Sequence, residues 1–345
     1  METRTLPADP AGIAEAARLL GEGRVVAFPT ETVYGLGGLA SRLDAISEIF
    51  SAKGRPSTDP LILHLPQPDL DKAAADGWLA RPVPSKAIQL AQAFWPGPLT
   101  LILKRGPKAH PEMTAGLDTV AVRCPAHPAA RALLQKLGAP LAAPSANRFG
   151  CISPTDATAV QEELGGKIPL ILDGGSCSIG LESTVVNLVS RTPEILRPGA
   201  VTPDQMAKIL GQAPPLRPNA TSVEMSQNAP GQLISHYAPQ SPLYLCDSPL
   251  EIFHPEAFHL LFRAKPSPPK GNFILLGQEG HPDSAARELY RALRTADASG
   301  SKLILVEAVP ESPWAEAIRD RLLRASSGTA TWNGQTWKLL PRRGV

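Results

Sequence analysis

Cysteine is scarce in this chain: Cys124, Cys151, Cys177 and Cys246 are its four, far apart and without a C-x-x-C pair. That spacing argues against a disulfide frame or a cysteine zinc site, and it predicts reduced thiols in a cytoplasmic protein. The seven histidines are equally scattered and show no H-x-x-x-H spacing. No apolar run approaches the ~20 residues that a membrane helix needs. The opening METRTLPADP lacks a secretory pattern, so no membrane association is expected. A formal net charge of +2 is too mild to announce nucleic-acid binding, though it leaves room for a local basic cleft. The generic signatures are missing too. There is no G-x-x-x-x-G-K-[ST] loop, no G-x-G-x-x-G opening a helix, no H-E-x-x-H and no G-x-S-x-G.

What the chain has in excess is proline. Its 37 prolines are more than twice an average usage of about 5%. They gather in loops and in one long stretch, residues 212–242, that lacks periodicity. A structureless stretch of that length is uncommon inside a compact domain, so it reads as a linker or a lid. The 345 residues, 43% hydrophobic, are enough for two cores. The expected division is therefore a catalytic domain over 1–211, the linker or lid over 212–242, and a C-terminal α/β domain over 243–345.

Periodicity supplies the elements. In the first part, helices are predicted near 9–20, 41–52, 85–94, 127–137, 156–164 and 202–210. The last opens on a capping box, Thr202-Pro203-Asp204-Gln205. Strands are predicted at 24–28, 61–65, 99–104, 119–123, 141–143, 169–172, 183–189 and 194–196. Beyond the linker, strands at 243–246, 273–276 and 302–307 alternate with helices at 283–296 and 314–325. That pattern predicts a small Rossmann-like three-layer domain. Trp332-Asn333-Gly334-Gln335 predicts a tight hairpin turn.

The polar residues that could carry chemistry sit where strands end, as α/β enzymes arrange them. Pro29-Thr30-Glu31-Thr32 follows the first strand. Lys53 and Arg55 flank Gly54 at a helix end. They fit a phosphate clamp, or else two solvated charges favourable to the helix dipole. His64 closes a strand, as a ligand contact or a satisfied strand-end histidine. Arg123 and Arg197 close strands, where an arginine is more often exposed at the sheet rim. Ser145 and Asn147 follow a strand, Ser183 opens one after Gly180, and all three read either as turn chemistry or as substrate contacts. Tyr237, beside His236 in the linker, has no core to serve and is a candidate lid contact.

Eight runs, taken together, resemble the signature of the YrdC-like threonylcarbamoyl-AMP synthase family. They are PTETVYGL from Pro29, KGRP from Lys53, WPGPLT from Trp95, AVR from Ala121, PSAN from Pro144, SPT from Ser153, ESTV from Glu182 and LRPG from Leu196. They occur in the family's order over roughly residues 10–210. The linker with His236-Tyr237-Ala238-Pro239, and the tail Ala317-Ile318-Arg319-Asp320-Arg321-Leu322, resemble its longer, two-domain form.

The resemblance implies an α/β fold, a twisted mixed sheet with helices curled around a large positive cavity. It implies a nucleotidyltransferase that joins L-threonine, bicarbonate and ATP into threonylcarbamoyl-AMP and pyrophosphate, with Mg²⁺ carried by ATP and no metal site of the protein's own. The product serves the modification of adenosine 37 in tRNAs that read codons starting with A. Downstream tRNA threonylcarbamoyl transferase proteins are therefore implied partners, and direct tRNA contact is a further expectation. Thr30, His64, Arg123, Ala143 and Ser183 would border threonine, with Arg123 forking its carboxylate. Lys53, Arg55, Asp59, Thr119, Ser145, Asn147, Ser153, Arg197 and Tyr237 would hold ATP. Lys53 and Arg55 would also act catalytically, on charge developing in adenylyl transfer. Asp59 stands where the family usually has Asn, and Ser235 where it tends to have a cation. The rival expectations are a nucleotide-dependent O-carbamoyltransferase and a non-enzymatic double-stranded RNA-binding module.

Overall fold

The computed structural model describes residues 1–217, 237–264, 271–277 and 282–342. Ser235 and His236, and with them most of the expected linker, lie outside the described residues. The chain forms two compact units. The first takes residues 1–149 and 153–178, and runs on from Glu182 through the described stretch to Arg217. The second takes 150–152, 179–181 and the described residues from Tyr237 on.

In the first unit the elements follow as β1 (Arg4–Pro7), α1 (Pro10–Gly21), β2 (Val26–Phe28), β3 (Gly35–Leu39), α2 (Leu43–Lys53), β4 (Ile62–His64), α3 (Leu70–Ala75) and α4 (Ser85–Phe94). Then come β5 (Leu99–Lys104), β6 (Thr119–Arg123), α5 (Pro128–Leu137), β7 (Leu141–Ala143), α6 (Ala157–Leu164), β8 (Leu170–Asp173), β9 (Thr184–Asn187), β10 (Glu194–Arg197) and α7 (Pro203–Leu210). The strands form one mixed sheet in the order β1-β8-β2-β3-β7-β4-β6-β5-β9-β10.

Alternation along the strands decides what each face buries. Val25, Ala27, Leu61 and Leu63 join Ile46 and Ile49 of α2, Leu90 of α4 and Val160 of α6 in one core. Val26, Phe28, Leu141 and Ala143 turn the other way, onto Leu19 and Leu20 of α1 and Leu133 and Leu134 of α5. Further along that second face, Ile62, Ile102, Ala121, Val185 and Leu196 form a small cluster of strand residues alone. Among the described residues no helix joins that cluster.

The Thr202 capping box forms as predicted, with Thr202 and Gln205 satisfying each other's main chain. Strand β3 has no apolar pattern, since three of its five residues are glycine. A Cβ at Gly37 would meet the Phe28 ring at 2.8 Å, and one at Gly38 would meet the Ala45 methyl at 3.0 Å. Glycine there lets the sheet close tightly on both sides.

In the second unit β11 (Leu243–Cys246), β12 (Ala257–Leu261), β13 (Phe273–Leu275), α8 (Pro282–Ala298), β14 (Leu303–Val306), α9 (Ala315–Ala325), β15 (Gly328–Trp332) and β16 (Trp337–Pro341) follow. The sheet order is β13-β12-β14-β11-β15-β16, parallel except for the β15–β16 hairpin. From β13 to β14 and from β14 to β15 the chain moves in one direction across the sheet. Right-handed crossovers then put α8 and α9, which touch each other, on the same face. The opposite face is covered by Leu250 and Phe253 of the irregular segment after β11. Among the described residues the layer on that face is this irregular segment. The expectation that Tyr237 has no core to serve is overturned as well. Tyr237 is buried, stacks on Tyr290 at 5.8 Å between ring centroids, and has the Arg321 guanidinium 5.6 Å from its ring centroid.

Candidate active site

A single row of side chains crosses this second face of the sheet. Register pairs His64 of β4 with Arg123 of β6. One step beyond the Leu101–Val122 pair, Thr100 of β5 stands opposite Arg123. Thr100 in turn pairs with Val185 of β9, and Val185 with Arg197 of β10. Arg197 joins the row because β10 shifts register between Ile195 and Arg197. Ile195 belongs to the helix-covered core, and the extra residue turns Arg197 to the other face, as bulges do. Both arginines were expected at an exposed rim; each is only 3% exposed.

Arg123 is committed on every side. Its Nε donates to the Gly97 carbonyl at 3.3 Å and one Nη to the Thr32 hydroxyl at 2.9 Å. The other Nη pairs with Glu31 Oε1 at 2.6 Å. The second Glu31 oxygen accepts from the Ala126 amide at 3.0 Å. Burial works to raise the Glu31 pKa, but the Arg123 charge and the hydrogen bonds outweigh it and hold the carboxyl below its ordinary value. Thr30 organises the turn, its hydroxyl donating to the Val33 carbonyl at 2.6 Å and lying 2.9 Å from the Thr32 hydroxyl.

His64 lies beside this pair, edge-on to Phe28 at 5.9 Å. Its Nδ1 is 3.1 Å from the Ile62 carbonyl. A carbonyl only accepts, so Nδ1 carries the proton and Nε2 is left as an acceptor. Burial, helped by the nearby Arg123 charge, pushes its pKa down to about 3, so the ring is neutral.

Ser183 is held from two sides. Its hydroxyl is 2.7 Å from that of Thr100 and accepts from Arg197 Nη2 at 3.3 Å, while Arg197 Nε donates to the Ser183 carbonyl at 3.1 Å. Ser153 donates to the buried Glu182 carboxylate at 2.6 Å.

A second group gathers at the end of α2. Lys53 donates to the Ser145 carbonyl at 2.6 Å and also to that of Asn147. Arg55 donates to the carbonyls of Asp59 and Pro60 at 3.0 and 2.8 Å, and pairs with the Asp59 carboxylate at 2.9 Å. Lys53 and Arg55 are 3% and 7% exposed, which sets aside the reading of solvated charges on a helix end. Asp59 is fully buried on Arg55, so its carboxylate has a protein counter-ion in place of a metal. The Asn147 amide donates to the Arg148 carbonyl at 2.8 Å.

The sheet therefore brings Thr30, His64, Arg123, Ser183 and Arg197 onto one face, and Lys53, Arg55, Asp59, Ser145 and Asn147 around one loop. Ala143 stands opposite Ile62, two residues before His64, at the centre of the sheet. Thr119 lies at the other end of β6 from Arg123, opposite Lys104. Tyr237 belongs to the second unit. A cavity of about 640 Å³ opens beside Leu65, Lys72, Trp78 and Lys108, and none of the expected site residues lines it. Glu31, Thr32, Thr100 and Glu182 were not singled out from the sequence as site residues. All four stood inside quoted motifs, three of them next to chosen residues. Thr100, second in β5 and last in the WPGPLT run, gave no signal of its own beyond being a lone hydroxyl among leucines.

Residues 18–199 match the profile of the Sua5, YciO and YrdC family, described as telomere recombination. Residues 201–327 match that of the threonylcarbamoyl-AMP synthase C-terminal domain. The chain is 41% identical to a threonylcarbamoyl-AMP synthase of Bacillus subtilis, over 92% of this chain and 93% of that protein. It is 39% identical to one of Pyrococcus abyssi, over 90% of this chain and 93% of that protein. The crystal structure of P. abyssi Sua5 complexed with L-threonine superposes with a TM-score of 0.84 at 37% identity, covering 94% of this chain and 97% of that one.

Proposed function

The chain belongs to the Sua5, YciO and YrdC family in its two-domain form, and we propose from that premise how its own residues carry out threonylcarbamoyl-AMP synthesis. It is a nucleotidyltransferase: L-threonine, bicarbonate and ATP give L-threonylcarbamoyladenylate and pyrophosphate. The product feeds the N6-threonylcarbamoyl modification of adenosine 37 in tRNA, through downstream transferase proteins, in the cytoplasm. The observation that carries the residue assignment is the polar row His64–Arg123–Thr100 with Ser183 and Arg197, on a sheet face that no helix covers among the described residues.

Threonine lies against this row. His64 Nε2 accepts from the substrate hydroxyl, and Ser183 contacts its polar atoms. Arg197 and Lys53 face the nucleotide. Bicarbonate is a poor electrophile and the carbamate formed on the amine decomposes in water. The face must therefore exclude solvent while the carbamate attacks the α-phosphorus. That transfer is mostly electrostatic work, done by Lys53, Arg55 and Arg197 through their charge.

Mg²⁺ enters with the nucleotide. Among the described residues no three histidine, cysteine, aspartate or glutamate side chains gather into a metal site. Bound with ATP, the ion would take its oxygen ligands from phosphate and water and would offset phosphate charge. Among the described residues no helix is long and apolar enough to cross a membrane.

The test is pyrophosphate release by the full chain with MgATP, with and without L-threonine and bicarbonate. Release that needs both is expected. Release driven by carbamoyl phosphate would move the protein to the carbamoyltransferase reading. No turnover, together with tight and salt-sensitive RNA binding, would sink the enzyme reading.

A further inference from the structure

The amino-acid substrate arrives as an ammonium, which has no lone pair, and one proton must leave before nitrogen can attack carbon. None of the residues given roles above takes it. His64 is too weak a base, its pKa near 3, and the Lys53 and Arg123 groups are cations.

We propose that Glu31 is the general base for that proton, freed for the task when the substrate's carboxylate takes its place on Arg123. The proposal rests on the reading of this face as the threonine site.

The exchange is isoelectric. Glu31 and Arg123 form a closed pair at 2.6 Å, with both side chains at least nine-tenths buried. An α-amino acid carries a carboxylate and an ammonium on one carbon atom. Inserted into the pair, it offers its carboxylate to Arg123 and its ammonium to Glu31. Two ion pairs replace one and the net charge of the buried site does not change, which avoids the cost of burying an unpaired charge. An amine without the carboxylate has no means of opening the pair. The Ala126 amide, at 3.0 Å from the second Glu31 oxygen, keeps the carboxylate in place when Arg123 turns to the substrate.

The exchange also changes Glu31 as a base. Burial favours its neutral form, and Arg123 is the main force against that. The other titratable groups that sense it are His64 on β4, His127 at the start of α5, and the thiols of Cys124 and Cys177. Burial lowers the pKa of both histidines and raises that of both thiols, so all four groups favour their neutral forms and none replaces the Arg123 charge. Once Arg123 is shared with substrate, the Glu31 pKa rises towards the range of a working base.

The step balances. One ammonium proton moves to the Glu31 carboxylate, giving the free amine. The amine nitrogen forms a bond to the bicarbonate carbon. The C–O bond to the bicarbonate hydroxyl breaks, and that hydroxyl takes a second nitrogen proton and leaves as water. The products are the carbamate, water and a protonated Glu31, which returns its proton to solvent when Arg123 closes back.

The test uses the full chain, L-threonine, bicarbonate and MgATP, with pyrophosphate release followed from pH 6 to 9. For wild type, kcat/KM for threonine should vary little across neutral pH. For Glu31→Gln it should fall by about 100-fold at neutral pH and then climb about tenfold per pH unit, following the free amine in solution. ATP affinity, read by calorimetry, should stay within about threefold of wild type. A Glu31→Gln profile parallel to wild type would overturn the proposal and leave Glu31 a structural ion. If Glu31→Gln fails to fold by circular dichroism, Glu31→Asp decides. A lower rate whose rise with pH steepens towards the free-amine line supports the base; a profile parallel to wild type overturns it. Wild type that releases no pyrophosphate with threonine and bicarbonate overturns the site reading and the proposal with it.

Discussion

Arg197 reaches Ser183 twice, donating from Nε to its carbonyl at 3.1 Å and from Nη2 to its hydroxyl at 3.3 Å. One side chain thereby fixes both the main chain and the rotor of its neighbour. In the proposed site Arg197 faces nucleotide and Ser183 faces threonine, so the two subsites share a hydrogen bond. Nucleotide that draws Arg197 away changes how Ser183 meets the amino acid.

The Thr100 hydroxyl is the third member of this arrangement, 2.7 Å from that of Ser183 and itself buried. Thr100→Val keeps the shape and removes the hydrogen bond, a loss of about 1 kcal/mol. The KM for L-threonine should rise about fivefold with the KM for ATP little changed, and Thr100→Ser should restore most of it. Steady-state pyrophosphate release at varied threonine measures this. Equal changes in both KM values would mean that Thr100 only supports the sheet.

The Arg55–Asp59 pair is nearly inaccessible to solvent on both sides. Removing one partner from such a pair leaves a charge in a dry site and costs about 3–5 kcal/mol. Asp59→Ala should show that loss in urea unfolding, and Asp59→Asn a smaller one, since its amide oxygen still accepts from the guanidinium. An Asp59→Ala protein as stable as wild type would mean that the pair contributes nothing net.

Much of this architecture was legible in the sequence because strands and helices announce themselves by period. Helix 85–94 and strands 99–104, 119–123 and 141–143 end where the pattern ends. Strand β3 was not legible, since its glycines serve contacts that only the folded sheet creates. Nor was β12, a five-residue run, AFHLL, that is buried throughout and does not alternate between apolar and polar. Residue types at strand ends marked Arg123 and Arg197, but not their burial. That comes from the register that aligns β4, β6, β5, β9 and β10, and from a one-residue bulge. Glu31 was hidden for a related reason. A carboxylate in a hydroxyl-rich loop reads as solvated until the arginine 92 positions on is seen to meet it.

Gly199 lies under the Ser183 turn. A Cβ there would stand 2.5 Å from the Thr184 nitrogen and 2.8 Å from the Ser183 carbonyl carbon, both main-chain atoms that cannot swing aside. Gly199→Ala should therefore displace Ser183, cost about 1–3 kcal/mol of stability, and raise the KM for threonine more than tenfold. Thermal unfolding and threonine titrations check both parts. Unchanged threonine kinetics would mean that the turn relaxes elsewhere and that Ser183 is not positioned through it.

His64 gives the chain a calculable acid sensitivity. Its folded pKa is depressed, by burial first and the Arg123 charge second, to about 3, against about 6.5 for an exposed histidine. Below pH 6.5 the unfolded chain binds a proton that the folded chain refuses, so stability falls as pH falls. The contribution is fully present above about 6.5 and is lost progressively down to about 3. Between pH 7.5 and 5 the loss from this one group is about 2 kcal/mol. His64→Asn keeps a donor for the Ile62 carbonyl and does not titrate. Its unfolding free energy should therefore fall by about 2 kcal/mol less than wild type over that interval. His259 in the second unit is depressed in the same direction, to about 4, but contributes equally to both proteins and cancels in the difference. Denaturant unfolding at the two pH values measures it. Identical losses in the two proteins would mean that His64 accepts its proton in the folded state, and that Nε2 is not a dependable acceptor for substrate.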